Sequence, residues 1–205
     1  MTDLDKALDD IIAIRSQIAR CAEFRGYGPV TVAATGALAI LAAVAQALWL
    51  PDAMAELASY LILWLTTAAL SVVLIGSEMV ARSRRIHSGL ADAMIHAATA
   101  QFVPAAVAGA LLTVVLFRFA PQTLWMLPGL WQIVFSLGFL ASCHALPRPM
   151  LAIGVWYLAT GLTNLALADE AHALSPWAMG APFAIGQLLM AAILHGSAGT
   201  SDVEG

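Results

Sequence analysis

The side chains in this chain that could hold a metal or move a proton are few: five His, two Cys and 13 Asp or Glu in 205 residues. Glu78, Cys143, His144 and His195 stand near the ends of three long apolar runs, with His87 and His96 in the polar stretch after the first of them. Imidazole, thiolate and carboxylate are ordinary ligands for zinc, iron or haem, so Glu78, Cys143, His144 and His195 make up the candidate transition-metal or haem site. No HExxH or CxxC spacing accompanies them, and half-polar imidazoles also settle at membrane interfaces without binding anything, so no cofactor is expected. Ser88, Asp92 and His96 recur at four-residue steps. A hydrolytic triad needs His between nucleophile and acid; here Asp92 is in the middle, and the three read as a polar helix face.

Within the apolar runs, charge is nearly absent. What remains is uncharged polarity: Gln46, Gln132, Asn164 and Gln187, with Thr66, Thr67, Thr160 and Thr163. Such residues tie helices together by hydrogen bonds in a bilayer. Their other use is to meet a ligand. Gln132, Asn164 and Gln187, with Trp131 and Trp156, are the candidate contacts for a lipid, quinone or other hydrophobic molecule. Proton-driven transporters mark their pathway with intramembrane Asp, Glu or Arg. Their scarcity here favours a non-enzymatic binding or sensing protein. A small transporter or channel past Gln132, Asn164 and Gln187 is the alternative, and a haem or metal protein the second.

The elements that must position these residues follow from composition. Hydrophobic residues make up 61% and charged residues only 11%, with a mean hydropathy of +0.85. Soluble domains carry about 25% charged residues. The chain is therefore expected to be an all-α, polytopic membrane bundle of about six transmembrane helices. The net charge of -4 comes largely from Asp3, Asp5, Asp9 and Asp10, and nothing points to nucleic acid. An acidic opening without a basic region is no signal peptide.

Residues 1–29 read as an amphipathic helix on the membrane surface, acidic early and basic late, stopped by Gly26, Gly28 and Pro29. Spans are expected at 30–50 and 57–77, forming a hairpin, and at 102–119, 124–144, 150–167 and 176–195, forming a four-span bundle. Between the two lies a basic, helical segment, 78–101, and the chain ends in a polar tail, 196–205, expected to be disordered. Glu78 and Arg82 have the i, i+4 spacing of a helical ion pair. Pro104, Pro128 and Pro182 each fall near a span start, where a missing N–H is tolerated, so none is read as a hinge.

Eight of the nine Lys and Arg fall on one side of this arrangement, among them Arg82, Arg84, Arg85 and Arg148; only Arg118 falls on the other. The positive-inside rule then puts both termini in the cytoplasm, where Cys21 and Cys143 stay reduced. Arg82, Arg84 and Arg85 are the candidate contacts for anionic lipid or a cytoplasmic protein partner. Ala105, Gly109 and Thr113, Gly138 and Ser142, and Gly154 and Gly161 form small-residue stripes for close helix contact, and a homo-oligomer through such faces is a further expectation.

Three short motifs carry a resemblance: Phe24-Arg25-Gly26-Tyr27-Gly28-Pro29, Leu127-Pro128-Gly129-Leu130-Trp131-Gln132 and Ser175-Pro176-Trp177-Ala178-Met179-Gly180. Through them nearly the whole chain resembles a group of small bacterial inner-membrane proteins with no established activity. The resemblance implies a multi-pass inner-membrane fold of about six spans and carries no functional residue.

Overall fold

The computed structural model describes residues 28–86, 91–141, 148–167 and 174–201. The N-terminal amphipathic helix expected over 1–29 lies outside the described residues, apart from Gly28 and Pro29. Among the described residues the elements are α1 (Pro29–Trp49), α2 (Leu57–Ile86), α3 (Ala91–Phe119), α4 (Leu127–Ala141), α5 (Leu151–Leu167) and α6 (Pro176–Ser201). Short 3-10 turns, Pro121–Met126 and Arg148–Met150, lead into α4 and α5. The chain is a helical membrane bundle. Five segments are long and apolar enough to cross a bilayer: α1, Leu57–Arg82, Phe102–Phe119, Pro121–Ala141 and Pro176–Gly196. The sixth helix, α5, has 17 residues. At 1.5 Å per residue it spans about 25 Å, and the 3-10 turn before it adds about 6 Å, which brings it to the thickness of a hydrocarbon core.

Helix starts are written locally. Pro29 and Pro176 open α1 and α6, where the missing N–H would have had no partner. Asp52 Oδ1 accepts from the Ala55 amide at 3.0 Å and holds the turn between α1 and α2. The tail departs from expectation: α6 continues past Gly196 to Ser201, so the first part of the segment expected to be disordered is helical. The basic segment 78–101 is shared between two long helices, its first part extending α2 and its last part opening α3.

Each helix packs against the next in sequence, and α6 returns along α1, so the six form a closed ring. Neighbours run antiparallel: Gly28, before α1, meets Glu78 near the end of α2, and Gly180, near the start of α6, meets Ala43 near the end of α1. Two faces result, a Gly28 face and a Trp49 face.

With no water to expel between helices in lipid, contact depends on close backbone approach. At the α4–α5 crossing, a Cβ on Gly161 would come within 2.8 Å of Gly129 O, and one on Gly129 within 2.7 Å of Gly161 O. No larger residue fits there without moving a helix. Ala105, Gly109 and Thr113 face α4: Ala105 and Phe102 abut Gly138, Gly109 approaches Val134, and Thr113 Oγ1 accepts from Trp131 Nε1 at 2.8 Å.

The core has two halves. Toward the Trp49 face, Ala42, Ala43, Tyr60, Trp64, Leu124, Leu127 and Met179 pack together; toward the Gly28 face, Val32, Phe139, Ile153, Tyr157, Met190 and Leu194 do so. Trp49 and Trp177 are 75% and 51% exposed on the Trp49 face, in keeping with an interfacial aromatic belt. Only 17% of the α2 span and 6% of the α3 span is buried, so these two are the most exposed of the five long spans.

Candidate functional site

The polar groups of the interior are organised along one stripe of α6 and the turn before it. Gln46 Nε2, from α1, donates to Leu174 O at 2.6 Å, and Gln46 Oε1 accepts from Trp64 Nε1 at 2.7 Å. That one amide joins α1, α2 and the approach to α6.

One helical turn further, the Ala178 carbonyl receives two donors, Gln132 Nε2 from α4 and Asn164 Nδ2 from α5, each at 2.8 Å. The cause lies four residues on. In a regular helix the N–H of residue 182 would bond to the Ala178 carbonyl, but Pro182 lies inside α6 and has no N–H. A carbonyl left open in lipid is costly, and neighbouring side chains commonly fill such a gap. The expectation that Pro182 is a tolerated residue at the helix start is corrected accordingly: its missing N–H organises the contacts of three helices. Pro104 is likewise interior to α3, whereas Pro128 occupies the first turn of α4. Another turn along, Pro182 O accepts from Trp156 Nε1 at 3.0 Å.

Deeper still, Tyr157 is fully buried, and Gly186 provides the notch for its hydroxyl, since a Cβ there would collide with Tyr157 Oη. Its ring sits edge-on to Phe135 at 4.9 Å between centroids and 5.1 Å from Phe183. Gln187 neighbours that hydroxyl, yet neither Tyr157 Oη nor Gln187 Oε1 completes a hydrogen bond of good geometry among the described residues. Two more buried oxygens are without a partner among the described residues: Gln132 Oε1 and Tyr60 Oη. Native proteins leave few such groups, and in a bilayer each carries a penalty of several kcal/mol by order of magnitude.

The candidate ligand contacts are thus dispersed. Gln132 and Asn164 converge on Ala178 O, Trp156 binds α6 one turn away, and Gln187 lies nine residues beyond Ala178, about 13 Å along the helix. Trp131 points to α3 instead, through its bond to Thr113. Tyr60, Tyr157 and Gly186 were not among the residues expected at a site; a tyrosine inside an apolar run, and a glycine next to Gln187, were the signals available.

Of the candidate metal ligands, Cys143 and His144 lie outside the described residues. His195 is exposed near the end of α6, and Glu78 is half-buried with its carboxylate against Gly28 at the start of α1. A carboxylate beside a helix N-terminus is favourably placed against the helix dipole. Among the described residues, no ion pair joins Glu78 to Arg82, whose Nε is buried without a hydrogen-bond partner, and no three His, Cys, Asp or Glu gather as a metal would require. The side chains of Arg84 and Arg85, and of Asp92 in the suggested polar face, are outside the described set; His96 is exposed. The chain matches no known protein family, no curated protein and no solved structure.

Proposed function

We propose that this is a multi-pass inner-membrane protein that binds or senses a hydrophobic ligand within its helical ring, without catalysing a reaction on it. The orientation follows from charge: Arg82, Arg84, Arg85 and Arg148 belong to the Gly28 face and Arg118 to the Trp49 face, which makes the Gly28 face cytoplasmic. There the basic segment, and with it the amphipathic sequence of residues 1–27, meets anionic lipid or a cytoplasmic partner.

The observation that carries the ligand reading is Gln132 Oε1, a buried acceptor with no donor among the described residues, together with Tyr157 Oη and Gln187 Oε1, which neighbour each other without a hydrogen bond of good geometry, on three helices lined by Phe135, Trp156 and Phe183. Structural cross-links do not need such groups. A mostly apolar molecule with a small polar group would supply a partner at one of two places, Gln132 or the Tyr157 and Gln187 pair, while its body replaced lipid or side-chain contacts.

The test is solvent extraction of the purified protein followed by mass spectrometry of the extract. One apolar species enriched to near one per chain, and depleted in a Tyr157→Phe, Gln187→Leu variant, is the expected result. An extract that mirrors the bulk membrane in both proteins would refute the reading.

A further inference from the structure

The Ala178 knot fixes the orientation of its amides. Gln132 Nε2 and Asn164 Nδ2 are both committed to one carbonyl, at 2.8 Å each. Turning the Gln132 amide would set its oxygen against Ala178 O, so the assignment of its nitrogen and oxygen is decided by the network. Its Oε1 is therefore a genuine acceptor, on a side chain with 0% exposure, and nothing among the described residues donates to it. The Tyr157 and Gln187 pair is weaker ground, because a small rotation would let those two satisfy each other.

A second buried group lies in the same half of the core. Tyr60, also 0% exposed, packs in the cluster containing Leu127 and Met179, the latter the neighbour of Ala178, and its hydroxyl has no partner. Gln132 itself is sealed, but Asn164, the other donor to Ala178 O, is only half-buried, so a ligand reaches Oε1 where the side chains around Asn164 part.

We infer that this half of the bundle binds a hydroxyl group, whose O–H donates to Gln132 Oε1. A hydroxyl donates one hydrogen bond and accepts others, so it serves an amide acceptor and can in turn take a proton donor such as a phenol. Ketones, ethers and quinones offer acceptors only and leave Gln132 Oε1 unanswered. The hydroxyl belongs either to a bound water or to the head of an apolar alcohol that enters past Asn164. The alcohol source rests on the binding function proposed above; the water source does not.

Three probes of matched length separate these cases: 1-decanol, decyl methyl ether and decane, titrated onto the purified full-length protein while thermal unfolding is followed. For the alcohol, stabilisation saturates at a concentration about tenfold lower than for the ether, as one hydrogen bond implies. Gln132→Met removes that preference. Should Gln132→Met fail to fold, the same replacement is made with Pro182→Ala, which returns an N–H to the Ala178 carbonyl and relieves Gln132 of its structural task. If the alcohol shows no preference, an experimental map of the unliganded protein decides. Ordered density within hydrogen-bond distance of Gln132 Oε1 identifies the hydroxyl as water and upholds the inference. No alcohol preference and no such density overturns it. Saturable binding of all three probes alike, without density, would leave the proposed function standing and this inference refuted; density at Gln132 together with an extract that mirrors the bulk membrane would do the reverse.

Discussion

Replacing Pro182 by alanine should change what Gln132 and Asn164 are worth to the fold. In the native chain the Ala178 carbonyl depends on two side-chain donors, each at 2.8 Å, because Pro182 has none to offer. Losing one donor leaves the other in place. Gln132→Leu or Asn164→Leu alone should therefore destabilise by about 0.5–1 kcal/mol, the usual range for a side-chain hydrogen bond in a membrane bundle. The double replacement strands the carbonyl in an apolar interior, and its effect should exceed the sum of the singles, reaching about 2–3 kcal/mol. With Pro182→Ala the main-chain N–H reaches Ala178 O along the helix, and the double replacement should then lose at least about 1 kcal/mol of its effect. Trp156 bonds to the carbonyl of residue 182, which survives the change, so this contact is common to both arms of the cycle. The assay is reversible unfolding in mixed micelles, with all combinations measured on the same footing. Additivity within about 0.5 kcal/mol between Pro182→Ala and the amide replacements would refute the account of α6 given above.

Glycine at the α4–α5 crossing makes a second prediction: Gly161→Ala, whose Cβ would lie 2.8 Å from Gly129 O, should destabilise by about 1–3 kcal/mol, whereas Gly76→Ala, with nothing within 4 Å, should be neutral or slightly stabilising in the same unfolding assay. At the Gly28 face, Gly28→Val should destabilise by forcing the Glu78 carboxylate away, and Glu78→Ala should recover part of that loss; no recovery would show that the contact is incidental. Topology is checked by cysteine labelling in sealed vesicles: Asp52→Cys should react only from outside the cytoplasm and His195→Cys only from the cytoplasmic side, and labelling of both from one side would overturn the orientation. Elemental mass spectrometry of the purified chain should find no stoichiometric metal; bound iron, copper or zinc that is lost on replacing Cys143, His144 and His195 would restore the metal site.

What the sequence alone determined is the class of structure and its segmentation. Runs of apolar residues long enough for a bilayer, broken by Pro51-Asp52 and Pro121-Gln122, mark hairpins without any reference to packing, because hydrophobic length is a local property. Small-residue stripes were legible for the same reason: Ala105, Gly109 and Thr113 lie at helical spacing, and that spacing puts them on one face whatever the partner is. Which face meets which helix is not local. The convergence of Gln132 and Asn164 on Ala178, 46 and 14 residues away, exists only because the ring brings α4 and α5 to the same level of α6. Pro182 shows the difference most clearly. By sequence it is a proline near the start of a span, tolerated and not read as a hinge; in the folded chain its absent N–H opens a carbonyl that two other helices close. The same holds for Tyr157, whose burial and notch at Gly186 depend on α5 crossing α6 there, and for Glu78, which has an arginine at helical spacing in its own helix yet lies against Gly28. Hydropathy decides that these helices enter a membrane; only their mutual placement decides which polar atoms are left without a partner inside it, because each hydrogen bond needs both groups at one point in space.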